Sequence, residues 1–258
     1  DKITLKRVYA QGNYKNFQTQ LGKFGLYTPE QGLVFDSDNS MSGANVTFGN
    51  ALKATIYAGR IDVSDQEKGY QLSNRDFADT ANMQGITLQY ATPASKWSGG
   101  AAYYHLNTND FIGLTDGLNN GEGYTNGKND EDNANIWSAN VGYNFDNTSR
   151  LFAAYANNTS ADNLDKSWQA IYSYKGAQPE NKNTWGAYAA YRYLGQNVSL
   201  MPTYDTAHYN HLNEKGWEVG ASYVPFTNVY TAVEYFDGKD LATDRDAKTL
   251  FGRVSFFF

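Results

Sequence analysis

The sequence predicts an all-β protein whose strands form a transmembrane antiparallel β-barrel, and three observations lead to this fold class. Apolar and polar residues alternate with a period of two in many segments, aromatic residues gather at the ends of those segments, and short connections alternate with long polar ones. A period of two places successive side chains on opposite faces of a strand. No uninterrupted apolar run reaches the roughly 18 residues that a membrane helix needs.

The alternation is clearest in the segment IWSANVGYNF. Trp137, Val141 and Phe145 share one face of the predicted strand, and Ser138 and Asn140 share the other. A soluble β-sandwich also alternates, but its inner face packs into an aliphatic core. Here the apolar faces carry mostly Ala, Tyr, Trp and Phe, which is typical of a lipid-facing band between two aromatic girdles. The barrel is therefore favoured over the sandwich.

The same pattern predicts about thirteen strands, and residues 1–258 are expected to form one barrel domain. The strands are predicted near residues 3–12, 17–27, 43–49, 51–61, 85–92, 97–106, 135–145, 150–156, 168–175, 185–194, 216–224, 229–236 and 249–258. The last strand, in TLFGRVSFFF, would turn Leu250, Val254 and Phe256 toward lipid and Arg253 away from it. Closure of the sheet on itself would leave this strand without a free edge.

The connections between these strands alternate strictly between short and long. Short links are predicted at 13–16, 49–51, 92–96, 146–149, 175–183 and 224–228. Long polar links are predicted at 28–43, 61–84, 107–134, 157–166, 195–215 and 237–247. Bacterial barrels have short periplasmic turns and long external loops, so the long links, 195–215 included, are expected outside. Such barrels also have an even number of strands and both ends on the periplasmic side, so an odd number of strands is expected before residue 1.

Three segments resemble the trimeric porins of Gram-negative bacteria, and the resemblance covers essentially the whole chain. These segments are GRVSFFF, GWEVGASYVPFTNV and LGKFGLYTPEQGLVFDS. The last one resembles the segment that leads into the third external loop of general porins, which folds into the barrel as a constriction and would here cover residues 28–43. In such porins that loop joins strands five and six of sixteen. The resemblance thus implies a sixteen-stranded barrel whose first three strands precede residue 1.

The resemblance is closest to porins of the OmpM type, which carry an S-layer-homology domain and a helical stalk before the barrel. It implies a channel in the bacterial outer membrane through which small hydrophilic solutes diffuse passively. It also implies a homotrimer in contact with membrane lipid and lipopolysaccharide, and contact with the cell wall through a tether domain that these residues do not include. Two alternatives remain, a structural anchor that tethers the outer membrane and, less favoured, a barrel hydrolase.

Composition and a few single residues argue against several other functions. A formal net charge of −6 disfavours nucleic-acid binding, which needs a basic surface. The absence of cysteine excludes disulfides, zinc–thiolate sites and cysteine nucleophiles. His208 and His211 in HYNH lack a third ligand nearby, and His105 lacks a nucleophile motif, so neither a metal centre nor an enzyme is predicted. No cofactor is expected beyond divalent cations bound loosely by acidic outer loops such as DSDNS at 36–40.

Charged residues on the long loop and on the lumen face predict a pore site. The loop also carries the apolar run LVF at 33–35, which gains stability only if the loop folds against the inner wall. The predicted constriction consists of Glu30, Asp36 and Asp38 opposed by Arg7, Lys23, Lys53, Arg60 and Arg253, and the predicted pore lining consists of Arg192, Glu218 and Glu234. Opposed acids and bases would create a transverse field that favours polar solutes. The alternative is that these charges are only solvated lumen residues.

Overall fold

The computed structural model describes residues 5–35, 39–62, 80–107, 133–200, 204–206, 213–241 and 243–258. In these ranges the chain forms thirteen β-strands. They are β1 (Val8–Asn13), β2 (Phe17–Gly25), β3 (Ser40–Gly49), β4 (Leu52–Asp62), β5 (Thr80–Tyr90), β6 (Trp97–Asn107), β7 (Asn133–Asn144), β8 (Ser149–Asn158), β9 (Lys166–Lys175), β10 (Trp185–Leu194), β11 (Glu214–Phe226), β12 (Val229–Asp240) and β13 (Asp246–Phe256). Among the described residues, no helix is long and apolar enough to cross a membrane.

All thirteen strands form one antiparallel sheet in which each strand pairs with the next one along the chain. The predicted fold class is confirmed, and each predicted strand overlaps an observed one. Short turns lie at one end of the sheet; the tightest is Thr227–Asn228, where Phe226 pairs with Val229. Asn228 adopts a left-handed backbone there, with φ at 65°, a conformation that asparagine tolerates better than most residues.

The outward face of the sheet is apolar and exposed, which is the reverse of a soluble protein. Its middle band carries aliphatic side chains such as Leu21, Ile56, Val219 and Val254, each more than half exposed. Aromatic rings that contact one another border this band at both ends. At the end with the short turns they include Phe17, Phe48, Trp97, Tyr143, Phe145, Tyr174 and Trp185, and at the other end Trp137, Tyr155, Trp168, Tyr191 and Trp217. An apolar band between two aromatic belts matches the lipid-facing surface of a membrane barrel.

The inward face is polar over much of its area. Gln20 and Asn45 bond each other across β2 and β3 at 2.8 Å, and Thr47 and Thr55 do so across β3 and β4 at 2.9 Å. Inward glycines also make room for inward aromatic rings on neighbouring strands. A Cβ atom on Gly220 would lie 2.2 Å from the ring of Tyr188, its partner in the β10–β11 register. The same relation holds between Gly85 and Tyr104. A Cβ atom on Gly216 of β11 would lie 2.8 Å from the ring of Phe236, and one on Gly238, which shares β12 with Phe236, would lie 2.7 Å from that ring.

Several strands extend further toward the loop end than the alternation predicts. β5 begins at Thr80 rather than at residue 85, and β12 continues to Asp240. Two changes in residue type make these extensions undetectable from the alternation in the sequence. Near the loop end the inward residues become apolar, as with Ala81 and Met83, while charged residues replace apolar ones on the outward face. The backbone stays extended although the contrast between its two faces disappears.

Candidate pore and its constriction

The connection between β2 and β3 folds back over the inward face of the sheet. We call residues 26–35 the inward loop. Leu26, Leu33, Val34 and Phe35 have no exposed surface, and they belong to one buried cluster. On the wall, this cluster contains the inward apolar residues of β2–β7, among them Phe24, Met41, Ile61, Met83, Tyr104, Leu106 and Ile136. The ring of Phe35 meets that of Tyr104 edge to face at 5.3 Å.

Polar contacts hold the inward loop to the wall as well. The Tyr57 hydroxyl donates to the carbonyl of Tyr27 at 2.9 Å, and Gln169 on β9 donates to the carbonyl of Glu30 at 2.9 Å. The loop is therefore attached to β4 and to β9, which lie five strands apart in the sheet. A segment fixed to two distant parts of the wall crosses the concave side of the sheet.

Glu30 has no exposed surface, and its side chain points to the wall. Its carboxylate accepts hydrogen bonds from the Tyr104 hydroxyl at 3.1 Å and from the Ser138 hydroxyl at 3.2 Å. Burial raises the pKa of Glu30 to about 7, and these hydrogen bonds oppose the shift only in part. The prediction that Glu30 presents a charge to the lumen is wrong, because its carboxylate anchors the loop instead. Asp36 and Asp38, its predicted neighbours, lie outside the described residues.

A second segment also enters the concave side, and it consists of residues 195–200 and 204–206. Val198 and Ser199 are fully buried. Ser199 bonds the hydroxyl of Ser167 on β9 at 2.9 Å, and Asn158 on β8 donates to the carbonyl of Asn197 at 2.8 Å. The segment joins β10 to β11 at the end of the sheet that carries the long links, and buried apolar and hydroxyl contacts hold its described part against the inner wall. The external orientation predicted for the link 195–215 stays a prediction.

A buried polar network joins this second segment to the wall. Arg192 on β10 and Glu218 on β11 form a two-point ion pair, with nitrogen–oxygen distances of 2.8 and 3.2 Å. The Tyr188 hydroxyl donates to Glu218 at 2.8 Å, and Thr206 also donates to that carboxylate. The Arg192 guanidinium lies 3.8 Å from the ring centre of Tyr204. Arg192 and Glu218 thus face inward as their parity predicts, but they are sealed from solvent.

The two inward segments meet near the middle of the sheet. Tyr204 donates to the carbonyl of Gln31 at 3.3 Å, and it lies 2.9 Å from Oε1 of Gln169. Arg192 donates to the same oxygen of Gln169. Gln169 also donates to the loop carbonyl of Glu30, so this one side chain connects both segments to the wall.

The remaining predicted charges divide between the two faces. Arg253 on β13 faces inward and forms an ion pair with Asp205 of the second segment. Glu234 on β12 faces inward beside Gly220, and Lys53 lies on the inward face near the short-turn end. Arg7 immediately precedes β1 and is half-buried.

Lys23 and Arg60 belong to the predicted constriction, but the structure places both on the outward face of the sheet. In the register both align with Ser42, on the face that carries Leu21 and Ile56. Arg60 donates to Asn82 on the same outward face at 3.1 Å. Their predicted role in the pore is therefore wrong, because the alternation in QLGKFG and YAGRID follows the exposed apolar residues, not the lumen.

Several inward residues were not found from the sequence. Tyr188, Gln169, Tyr204 and Thr206 complete the polar network, and Arg150 lies inward at the start of β8. Arg150 shares its parity with the buried Phe152, which the strand pattern could have revealed. Tyr204 and Thr206 carry no such pattern, because they lie in an irregular segment.

His105, the residue behind the hydrolase alternative, lies on the outward face. Its Nδ1 atom is 2.8 Å from Asn135 Oδ1, and Asn135 Nδ2 donates to the Ser160 hydroxyl at 2.7 Å. In the described part of the chain no hydroxyl group is hydrogen-bonded to the imidazole, which a serine nucleophile would require. His208 and His211 lie outside the described residues. No group of three metal-ligating side chains occurs in the ranges that the structure covers.

An antiparallel sheet with an apolar belt outside, a polar wall inside and a loop packed against that wall defines a β-barrel membrane protein. Solved structures similar to this chain show which kind of β-barrel fold it has. OprB of Pseudomonas putida is 16% identical, with a TM-score of 0.60 over 98% of this chain and 73% of its own. OmpF of Salmonella typhi is 16% identical, with a TM-score of 0.51 over 93% of this chain and 74% of its own. The chain therefore has the fold of the bacterial porins.

A porin of Rhodopseudomonas blastica is also similar, at 12% identity and a TM-score of 0.48 over 96% of this chain and 75% of its own. No protein-family model matches the sequence. No curated protein matches it significantly.

Proposed function

We propose that the protein is an outer-membrane porin that lets small hydrophilic solutes diffuse through a water-filled channel. One observation carries the proposal: a loop is docked on an otherwise polar inner wall, within a sheet whose outer face is apolar. The apolar belt suits the protein to lipid, and the polar wall suits it to hydrated solutes. The inward loop would narrow the lumen and so set an upper limit on solute size.

The inner charges would act on solutes mainly through their position. Arg192 and Glu218 neutralise each other, as do Arg253 and Asp205, so neither pair attracts ions of one sign strongly. A further contribution to the field near the loop would come from Lys53 on the wall, together with Asp36 and Asp38. The opposition of these acids and bases across a constriction, over residues 28–43, stays a prediction.

We further propose the assembly that the sequence resemblance implies, a homotrimer surrounded by lipid and lipopolysaccharide. The exposed outer wall supports this proposal, because its aliphatic band is able to pack against lipid or a second barrel. A role in joining the membrane to the cell wall, as in OmpM-type porins, would need a domain outside these residues. Membership of that subgroup stays a prediction.

A specific contact favours the second candidate, a barrel that serves mainly as an anchor. The hydrogen bond between Tyr204 and Gln31 joins the two inward segments across the concave side. If these segments fill the lumen, the barrel would pass little current. This candidate shares the fold and the membrane location with the channel but predicts a different conductance.

Single-channel recording of the full-length protein in planar bilayers separates the two candidates. A porin gives discrete conductance steps, whereas a filled anchor gives almost none. Leu33→Ala combined with Phe35→Ala should loosen the inward loop and raise the conductance of the channel, because both side chains are fully buried under it. Val254→Ala on the outward face is the matched control and should leave the conductance unchanged. Absence of steps in the wild-type protein and in the loosened variant would refute the channel.

A further inference from the structure

A cavity of about 350 Å³ lies below the inward loop, toward the short-turn end of the sheet. Thr28, Pro29 and Gln31 of the loop line it on one side. Side chains of β5, β7 and β8 line it on the other side, including Gln89, Asn140, Asn144, Arg150 and Phe152. Its volume falls within the range of pockets that hold small organic molecules.

Arg150 is the only charged residue among the described residues that line this cavity. It donates from Nη2 to the hydroxyl of Ser98 at 3.1 Å, while its buried Nε has no hydrogen-bond partner. The inward arginines of β10 and β13 differ, since Arg192 is paired with Glu218 and Arg253 with Asp205. Arg150 therefore offers a positive charge and an unused donor, and both favour an anion.

Asn140 adds a second unused donor on the same wall. Its buried Nδ2 atom has no hydrogen-bond partner. Asn140 and Gly142 occupy alternate positions of β7, about 7 Å apart along the strand. The Arg150 guanidinium lies over Gly142, where a Cβ atom would come within 2.7 Å of Nη2. A buried donor without an acceptor costs free energy, so both groups favour a ligand that brings oxygen atoms.

We propose that this cavity is a binding subsite for a small organic carboxylate that also carries hydroxyl groups. The guanidinium of Arg150 binds the carboxylate. Asn140, together with the amides of Gln31, Gln89 and Asn144, bonds the hydroxyl groups. The inference rests on the proposed channel function, for which the subsite would retain hydroxy acids on their way through the lumen.

Two solutes of similar size test this assignment, gluconate and its uncharged relative glucose. Binding of each solute to the full-length protein in detergent is measured by titration calorimetry, at a pH below the pKa of Glu30 so that the neighbouring loop is neutral. The same solutes are then added to open channels in a planar bilayer, where a bound solute lowers the current. Calorimetry needs no conductance, so a protein that binds gluconate without passing current would refute the channel and support the subsite.

Gluconate should bind saturably, and glucose should bind at least about tenfold more weakly because it lacks the charge. Arg150→Gln should weaken gluconate binding by about tenfold or more and leave glucose binding almost unchanged. Arg60→Gln, which removes the same charge from the outward face, should change neither. Asn140→Asp keeps the side-chain size and should also weaken gluconate binding, which covers the case in which Arg150→Gln does not fold. Equal binding of gluconate and glucose, or wild-type binding by a folded Arg150→Gln or Asn140→Asp protein, would overturn the proposal.

Discussion

The buried carboxyl of Glu30 should make the attachment of the inward loop depend on pH. Raising its pKa from 4.5 to about 7 means that the folded protein holds a proton that the unfolded chain has already released. Between these two pH values the Glu30 carboxyl holds more protons in the folded state, so its contribution to stability must fall as pH rises. The contribution is complete below pH 4.5, decreases toward pH 7, and stays constant at higher pH.

The size of this effect follows from the pKa values. The shift from 4.5 to about 7 is worth about 3 kcal/mol at about 1.4 kcal/mol per pH unit. This value is an upper bound for the loop, because a partly undocked loop would give Glu30 access to water. Glu30→Gln keeps an acceptor for Tyr104 and Ser138 but does not ionise, so it should remove this part of the pH dependence.

The assay is urea unfolding in detergent micelles, followed by circular dichroism at several pH values between about 4 and 8. The wild-type protein should lose up to about 3 kcal/mol more than Glu30→Gln across this range. Comparison of the two proteins cancels the other titrating groups, which they share. Identical pH profiles would refute the buried, protonated carboxyl, and a Glu30→Gln protein that loses more stability than the wild type as pH rises would show the opposite sign.

Two further predictions concern the inward wall. Arg192→Met should destabilise the protein by about 3–5 kcal/mol because it leaves the charge of Glu218 buried and unpaired. Combining Arg192→Met with Glu218→Met should destabilise the protein less than the single change does. Urea unfolding midpoints measure both variants, and a double variant less stable than the single one would contradict the pairing. Gly220→Ala should cost about 1–3 kcal/mol because its methyl group would lie 2.2 Å from the ring of Tyr188. Gly252→Ala, whose methyl group meets no atom within 4 Å, is the control, and equal melting temperatures for the two variants would argue against the contact.

The strands could be predicted from the sequence because lipid and water impose opposite demands on their two faces. Trp137, Val141 and Leu151 face lipid wherever the alternation is clear, and their predicted strands are found. The alternation of apolar and polar residues is less regular between the aromatic belt at the loop end and the long loops. There Asp237 and Lys248 form an outward ion pair at 3.5 Å, so charged residues stand where apolar ones are expected. The predicted β12 therefore stops before its observed end at Asp240, and the predicted β13 starts after its observed beginning at Asp246.

The candidate site was less accessible to sequence reasoning, because parity does not apply to loops. The run LVF at 33–35 indicated a buried loop, and these residues are buried. Glu30 carried no sign that it would turn toward Tyr104 rather than the lumen, since both directions are open to a residue in an irregular segment. The polar segment near Tyr204 likewise carries no sign in the sequence that it folds inward, because its anchors on β9 and β11 are distant in sequence.

The pairing of inward rings with inward glycines bears on how the strands find their correct neighbours. A strand that slips by two residues keeps its apolar side toward lipid, so amphipathicity alone does not distinguish the shifted sheet from the native one. Tyr188 resolves this ambiguity, because its ring lies across Gly220 and would meet the side chain of Glu218 or Ser222 after such a slip. Phe236 on β12 imposes the same condition through Gly216 on β11. Glycines that add nothing to the amphipathic pattern would thus specify the strand register during insertion into the membrane. Exchanging Tyr188 with Gly220 should restore the register that either change alone disturbs.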